Sequence, residues 1–256
     1  MRSADMEKPY HLVSSVPLRP DACLVNRKIV LYGTVIMNGE KCTATGRRES
    51  RRQDRRETIV IAASRHFLDH GYSGTTMSAI AATLGGSKGT LWSYFPSKEE
   101  LFTAVIDHAS TAFRAQLSEI LDLSGDLPTA LRCFSLKLLE KVTSPDAIAL
   151  NRLVTAEAGR FPEAGRIFFD RAPWQTVVLL AEFLSGVMER GQLRRDNPVE
   201  AAQTFMHLCV SRLQQQCLLG LIPEVTAGQR EREVERAVPL FLRAYAPDGA
   251  DDRLSG

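Results

Sequence analysis

The spacing of apolar positions divides the chain near residue 49. Residues 1–46 contain six prolines and glycines and no apolar stripe of helical spacing. Within them, Leu24–Met37 could form a short strand pair, but an isolated hairpin is only marginally stable in water. We therefore expect a flexible N-terminal extension over 1–46. A translation start at Met37 instead of Met1 is an alternative that the sequence leaves open.

From Glu49 onward the apolar positions recur at helical intervals. The first stripe occupies positions i, i+3, i+4, i+7 and i+8, which predicts one amphipathic helix: Ile59, Ala62, Ala63, His66 and Phe67. Gly71 is placed to end this helix, because glycine tolerates the left-handed conformation at a helix C-terminus. We expect His66 to be hydrogen-bonded at the edge of a small core, since no second metal-type residue is near it in sequence.

Two short helices and one long helix should follow. Thr76 can cap the second helix with its hydroxyl, and the inner face of that helix repeats at i, i+3, i+4 and i+7: Met77, Ile80, Ala81 and Leu84. Ser87 can cap a third helix, which Pro96 ends. The string 97–100 has the pattern of a capping box and opens a fourth helix. Three short helices with a glycine turn between the second and third predict a helix-turn-helix unit.

The rest of the chain is predicted to be helical, because no segment shows sustained strand alternation. Prolines stand at first-turn positions and glycines at the ends of several helices, which we place near Pro128–Val142, Pro145–Ala158, Glu163–Arg171, Pro173–Arg190, Pro198–Leu219 and Gly228–Tyr245. The fold class is therefore expected to be all-α. We expect a helix-turn-helix domain over 47–97, a helical ligand-sensing and dimerisation domain over 98–246, and a disordered tail over 247–256.

Positive charge is concentrated in one segment of a nearly neutral chain. The formal net charge is only +2 in 256 residues, with 44% hydrophobic and 24% charged residues, which is ordinary for a globular protein. Segment 47–56, in contrast, carries six arginines against Glu49 and Asp54: Arg47, Arg48, Arg51, Arg52, Arg55 and Arg56. This cluster is either a solvated helix start or an arm that contacts the backbone or minor groove of DNA.

The cysteines do not indicate a disulfide framework or a metal site. There are five, an odd number, without a CxxC pair: Cys23, Cys42, Cys133, Cys209 and Cys217. Free thiols in a reducing cytoplasm are the simplest interpretation. No segment approaches the ~20 apolar residues of a membrane span, and residues 1–10 do not resemble a signal peptide. We expect a cytoplasmic protein with no membrane association, no metal and no cofactor.

The third helix carries the residues best suited to contact DNA. An α-helix fits the major groove, where residues near its N-terminus face the base edges. Short residues there allow a close approach to the duplex, and Lys88 adds a long cationic donor for guanine or phosphate. Trp92, Ser93 and Tyr94 lie opposite the apolar side that Leu91 and Phe95 form. Packing along a sugar–phosphate wall would explain exposed aromatic residues on so short a helix.

These motifs resemble the signature of the tetracycline-repressor (TetR) family. The similarity covers about residues 55–105, in the strings TTMSAIA at 75–81 and GSKGTLWSYFPSKEEL at 86–101. Looser similarity at 157–163 and 191–194 points to AefR-like members. The resemblance implies a homodimer that binds a pseudo-palindromic operator on double-stranded DNA, usually as a repressor, and releases it when a small molecule enters the C-terminal domain.

Carried over by position, the resemblance assigns DNA contacts to individual residues. Phosphate contacts would come from Thr76, Trp92, Tyr94 and Lys98. Residues at or near bases would be Ser87, Lys88, Gly89 and Thr90. Independently of the resemblance, Ser93 on the outer side of the third helix and Arg52 and Arg55 in the arginine cluster are further candidates by their position. Two positions depart from the family pattern: Gly86 replaces a small apolar residue, and Trp92 replaces a common tyrosine and leaves only an indole N–H donor.

The C-terminal half supplies candidates for a dimer interface and a pocket. In this family two long helices pair with those of the partner subunit. The matching helices here are Pro173–Arg190 and Pro198–Leu219, which are apolar around most of their circumference and therefore need cover on both sides. The candidate interface residues on these helices are Trp174, Leu180, Leu184, Phe205 and Cys209. The alternative is that both helices are buried within one chain. Candidate pocket residues, which could equally be ordinary core, are Phe134, Leu138, Arg152, Phe161, Phe168, Phe169, Met188 and His207.

Two other classes of protein are weighed against a ligand-responsive regulator. An enzyme is disfavoured, because no nucleophile–base set, metal spacing or phosphate loop is visible, and the string 85–88 lacks the Walker pattern. A helical dimeric module that binds a small molecule or a protein but no DNA is disfavoured by the intact Lys88 and Lys98. The aromatic content of the predicted pocket suggests a small apolar or aromatic effector.

Overall fold

The computed structural model describes residues 44–85, 88–121 and 125–247. Every regular element in these ranges is an α-helix, which confirms the predicted all-α class. The helices are α1 (Ala44–Gly74), α2 (Met77–Thr83), α3 (Lys88–Tyr94), α4 (Lys98–Ile120), α5 (Leu127–Val142), α6 (Pro145–Glu157), α7 (Pro162–Arg171), α8 (Pro173–Glu189), α9 (Pro198–Leu218) and α10 (Ala227–Ala244).

Some of the predictions lie outside the described residues. These are Ser87 with its capping role, Gly86, almost all of the extension over 1–46, and the tail over 247–256 apart from its first residue. Helix α1 begins at Ala44, before the predicted domain start at 47. It contains a break at Gly71, whose φ of 74° lies in the left-handed region, as expected for a glycine at the end of a helix.

Local side-chain caps fix where several helices begin. The Thr76 hydroxyl accepts a hydrogen bond from the backbone N–H of Ala79 at 3.1 Å, and the Ser97 hydroxyl accepts one from Glu100 at 3.1 Å. Each cap satisfies a backbone donor that has no partner inside its helix. Proline occupies the first turn of α5 to α9, where its missing N–H costs nothing. These local signals explain why the predicted boundaries agree closely with the observed ones.

Two separate apolar clusters hold the helices together. The first, here called the head cluster, joins α1 to α4 and also receives Val154 from α6 and Ala164 from α7. The second, the body cluster, joins the C-terminal part of α4 to α5, α8, α9 and α10 and also receives Ile148 from α6. Helix α4 therefore contributes to both clusters, with Phe102 in the head and Leu117 in the body. The helix-turn-helix unit is thus packed directly against helices of the C-terminal half.

The structure corrects four of the five residues predicted for the dimer interface. Leu180, Leu184, Phe205 and Cys209 are each 0% exposed within a single chain, in the body cluster, so they are core residues of one subunit. Trp174 is half-buried at the edge of that cluster and stacks on Phe169, with ring centres 6.0 Å apart. Residues of α8 and α9 that remain accessible lie on their outer faces and include Val178, Glu182, Ser185, Gln203, His207 and Val210.

Candidate nucleic-acid interface

Helix α3 has one buried side and one exposed side. Leu91 and Phe95 are each 2% exposed and fix the helix to the head cluster. The predicted contact residues on the other side are solvent-accessible: Lys88, Gly89, Thr90, Trp92 and Ser93 are exposed, and Tyr94 is half-buried. Gly85, in the turn before α3, has a φ of 61°, a conformation that favours glycine. Helix α3 therefore forms a short ridge whose apolar side packs into the head cluster and whose polar side faces outward.

The arginine segment runs beside the end of α3. The Arg52 guanidinium carbon lies 6.0 Å from the centre of the Tyr94 ring, and that of Arg56 lies 4.9 Å from the Phe95 ring. Arg55, the other predicted contact on α1, is half-buried. Because these residues adjoin the free side of α3, both predicted parts of a DNA surface lie next to each other.

Two predicted phosphate contacts, Thr76 and Lys98, already have partners inside the protein. The Thr76 hydroxyl accepts the cap hydrogen bond of α2. The Lys98 ammonium donates to the Tyr72 carbonyl at 2.9 Å and lies 4.1 Å from the centre of the Tyr72 ring. An ammonium has three donors, so a further bond to phosphate is compatible with this position. The phosphate contacts of both residues remain predictions.

A carboxylate from α6 holds the end of α1. Glu157 Oε1 accepts from the backbone N–H of Tyr72 at 2.8 Å, and its Oε2 accepts from the N–H of Ser73 at 2.6 Å. Gly71 precedes them, and a Cβ atom added there would collide with Glu157 Oε1. Glu157 lies in the segment 157–163 that resembles AefR-like members, but the sequence pattern predicts no role for it. No spacing signal could have paired it with Tyr72 and Ser73, which lie 85 and 84 positions away in the chain.

This junction also sets the ionisation of its members. Burial alone would raise the pKa of Glu157, but the Ser73 hydrogen bonds, the Tyr72 N–H and the Lys98 charge outweigh it and lower the pKa. Burial, followed by the Glu99 and Glu163 carboxylates, raises the pKa of Tyr72 well above its ordinary value. At neutral pH the junction therefore contains an ionised Glu157 and a protonated Tyr72 hydroxyl, which donates to Glu99 at 3.4 Å.

The eight predicted pocket residues do not converge on one place. Phe134, Leu138 and Met188 belong to the body cluster, whereas Phe161 and Phe168 pack against the head cluster. The other three lie elsewhere: Phe169 is 51% exposed, His207 is exposed, and Arg152 donates to the carbonyls of Leu218 at 3.0 Å and Cys217 at 2.6 Å.

The described residues form neither a cluster of metal ligands nor a helix suited to cross a membrane. Within 44–85, 88–121 and 125–247, no group of three or more His, Cys, Asp or Glu side chains could hold a metal ion. None of the helices in the same ranges combines the length and apolar character that a membrane crossing requires.

Two family profiles match the chain, one over the helix-turn-helix region and one over the C-terminal helices. Residues 59–105 match the profile described as bacterial regulatory proteins, tetR family. Residues 129–247 match the profile described as AefR-like transcriptional repressor, C-terminal domain. The first match covers most of the head and the second covers most of the helices of the body cluster.

Solved structures and curated proteins with similar sequences are regulators. The Flavonoid-responsive Regulator FrrA has a TM-score of 0.69 and 35% identity, over 77% of this chain and 100% of FrrA. The transcriptional activator FasR of Mycolicibacterium smegmatis is 36% identical over 41% of this chain and 51% of FasR, so the chain spans about half of FasR. The transcriptional repressor AcnR of Corynebacterium glutamicum is 28% identical over 59% of this chain and 75% of AcnR.

The Glu157 junction generates a prediction about stability and pH. Glu157→Gln should lower the free energy of unfolding at neutral pH by about 1 kcal/mol, because hydrogen bonds from two backbone donors to a charged acceptor are weakened. A carboxyl whose pKa is lowered by folding stabilises the protein above its unfolded pKa, and this contribution is lost as pH falls through the folded value. The gap in the free energy of unfolding between wild type and variant should therefore become smaller in acid.

Urea unfolding monitored by circular dichroism from pH 7 to pH 3, at one subunit concentration, measures that gap. The control is Glu224→Gln, which changes an exposed carboxylate in the loop before α10. A gap that stays constant with pH, or equals that of the control, would contradict the role given to Glu157.

Proposed function

The chain belongs to the TetR family of transcriptional regulators, and from that premise we propose that it represses transcription as a homodimer on a pseudo-palindromic operator and responds to a small apolar or aromatic molecule. Family membership makes it a DNA-binding regulator and not an enzyme. The operator, the direction of regulation, the dimer surface and the effector are the parts that we propose.

The observation that carries the DNA-binding proposal is the two-sided character of α3. Its inner residues are buried in the head cluster, and its outer residues leave Lys88 and Trp92 free to meet a groove. Trp92 is 43% exposed, although a large aromatic side chain usually gains more by burial. Base and backbone contacts would supply the missing cover. A helical module that does not bind DNA would not account for the exposed Lys88 and Trp92 on this surface.

Repression is the direction that we favour. The C-terminal profile is described as that of a repressor, and AcnR is a repressor, whereas FasR is an activator. Repression requires only that the dimer occupies its operator and blocks the polymerase. The effector would then act by lowering the affinity of the protein for DNA.

The proposed dimer surface is the outer face of α8 and α9. Val178 and Ser185 lie seven residues apart on α8, as do Gln203 and Val210 on α9, and all four are half-exposed in one chain. Half-exposed valines on neighbouring outer faces suit a contact between subunits, because their remaining apolar surface can be buried there. Pairing of these helices would fix the distance between the two recognition helices.

The proposed effector class is supported by one relative. FrrA, 35% identical along its whole length, is named as flavonoid-responsive, and flavonoids are flat aromatic molecules. The body cluster contributes aromatic rings at Phe134, Phe205 and Phe241. An aromatic effector would find compatible partners among such side chains.

The first prediction from the proposed function concerns the operator and Lys88. Selection from a random duplex library should recover an inverted repeat whose half-sites are centred about 34 Å apart, one helical turn, or a multiple of it. Lys88→Ala should weaken binding by about 1–3 kcal/mol and relax preference at one base pair of each half-site. Fluorescence anisotropy on the selected duplex measures both. The control is Lys141→Ala, which removes a charge from the last turn of α5. A selection that recovers no preferred sequence would refute the operator proposal.

The second prediction separates the subunit core from the dimer surface. Val178→Asp should give helical monomers in analytical ultracentrifugation, because an unpaired charge in an apolar interface costs several kcal/mol. Leu184→Asp on the same helix should instead lose its helical circular dichroism, since Leu184 is fully buried within one chain. A folded, dimeric Val178→Asp protein would place the interface elsewhere.

The third prediction concerns the effector. Added flavonoids should release the wild-type protein from the selected duplex at micromolar concentration. Fluorescence anisotropy of the labelled duplex reports this release. Non-aromatic fatty acids of similar mass serve as the comparison. Release by the fatty acids alone would overturn the aromatic class while leaving DNA binding intact.

A further inference from the structure

The N-terminal part of α1 is a helix without an apolar side. The first buried residue of α1 is Ile59, and the described side chains over 48–58 are exposed apart from the half-buried Arg55. Most helices in proteins are stabilised by packing of an apolar face, and a helix that is polar all round lacks this support. This segment therefore has the character of a surface that is completed by a partner.

Charge is segregated around this helix. At 100° per residue, five arginines fall within an arc of about 140°, here called the arginine stripe: Arg48, Arg51, Arg52, Arg55 and Arg56. The carboxylates of the segment fall outside that arc, with Glu49 at its edge and Asp54 and Glu57 on the opposite side. A charge cluster that served only solubility would not need to separate the two signs in this way.

The arginine stripe is directed toward the recognition helix. Ile59 and Ala63 continue the same arc and pack into the head cluster, so the stripe lies on the side of α1 that faces the helix-turn-helix unit. Arg52 and Arg56 lie over the rings of Tyr94 and Phe95 at the end of α3. Between α1 and α3 a cleft of about 360 Å³ is lined by Arg48, Glu49, Arg51, Arg52 and Tyr94.

We propose that the arginine stripe binds the phosphate backbone of the duplex beyond the half-site that α3 contacts. This inference rests on the proposed DNA-binding function and extends it. From Arg48 to Arg56 the helix rises about 12 Å, the axial length of three to four base pairs. Guanidinium groups bind phosphate oxygens in pairs of hydrogen bonds and remain charged at all working pH values. The stripe therefore supplies affinity without sequence preference.

The arrangement favours DNA over an acidic protein as the occupant. The stripe is contiguous with the exposed side of α3, and a duplex seated on α3 would continue past Tyr94. The acidic and neutral residues of the segment then point away from the phosphates, which limits repulsion. An acidic protein would have to bind the arginine stripe at the position that the duplex occupies, so it would compete with operator binding.

The test compares a stripe variant with a charge-matched control. The stripe variant is Arg48→Gln/Arg51→Gln/Arg52→Gln, and the control is Arg195→Gln/Arg232→Gln/Arg243→Gln, which removes the same charge from exposed positions of the body. Affinity of each full-length protein is measured by fluorescence anisotropy from 50 to 300 mM salt. The probes are the selected duplex with ten flanking base pairs on each side, the same duplex without flanks, and an unrelated duplex of the longer length.

Loss of about two phosphate contacts in each of two subunits should lower the slope of log K against log salt by about four units. It should also weaken binding to the flanked duplex at least tenfold, on both the selected and the unrelated sequence. The control variant should retain the wild-type slope. Wild type should bind the flanked duplex more tightly than the trimmed one, and the stripe variant should bind both equally.

The outcomes separate the two proposals. A stripe variant with the wild-type salt slope, or wild-type protein that is indifferent to flanking DNA, overturns the stripe contact even when operator preference is normal. Wild type that shows no preferred sequence, but whose salt slope on the unrelated duplex still falls in the stripe variant, refutes the operator proposal and supports the stripe. Competition by an acidic peptide with no effect of the flanks would assign the stripe to a protein partner.

Discussion

One carboxylate provides the polar contact between the helix-turn-helix head and helix α6, beside the apolar packing of Val154 and Ala164 in the head cluster. Glu157 accepts hydrogen bonds from two consecutive backbone N–H groups at the end of α1, where Gly71 has turned the chain into the left-handed region. Lys98, at the start of α4, donates to the carbonyl of the same Tyr72. The carboxylate of α6, the turn after α1 and the first turn of α4 therefore form one polar junction that defines how the head is held.

Helix α6 is fixed by polar contacts at two points. Five residues before Glu157, Arg152 donates to the carbonyls of Cys217 and Leu218 at the C-terminal end of α9. The last carbonyls of a helix lack partners in its regular hydrogen-bond pattern, and here the guanidinium adds to the backbone cap in which Gly220 donates to the Cys217 carbonyl at 3.0 Å. The same short helix thus contacts the end of a body helix and the base of the head.

The proposed DNA surface would combine two kinds of recognition with different physical ranges. Helix α3 offers short and long polar side chains on a ridge fixed by Leu91 and Phe95, which suits contacts with individual bases. The arginine stripe offers charge along one side of a helix, which suits the repeating phosphates of the backbone. Because Arg52 and Arg56 adjoin Tyr94 and Phe95, the two parts are held in a fixed relation.

The sequence by itself determined the helices, their caps and the helix-turn-helix unit, because periodicity, proline at first turns and residues such as Thr76 act within a few positions. The sequence could not decide which surface covers an apolar helix, because an apolar stripe shows only that cover is needed. Leu184, for example, is buried in the core of one chain. Likewise Phe134 and Phe161 belong to different clusters. Glu157 meets Tyr72 only because folding brings together groups 85 residues apart, which no local pattern encodes.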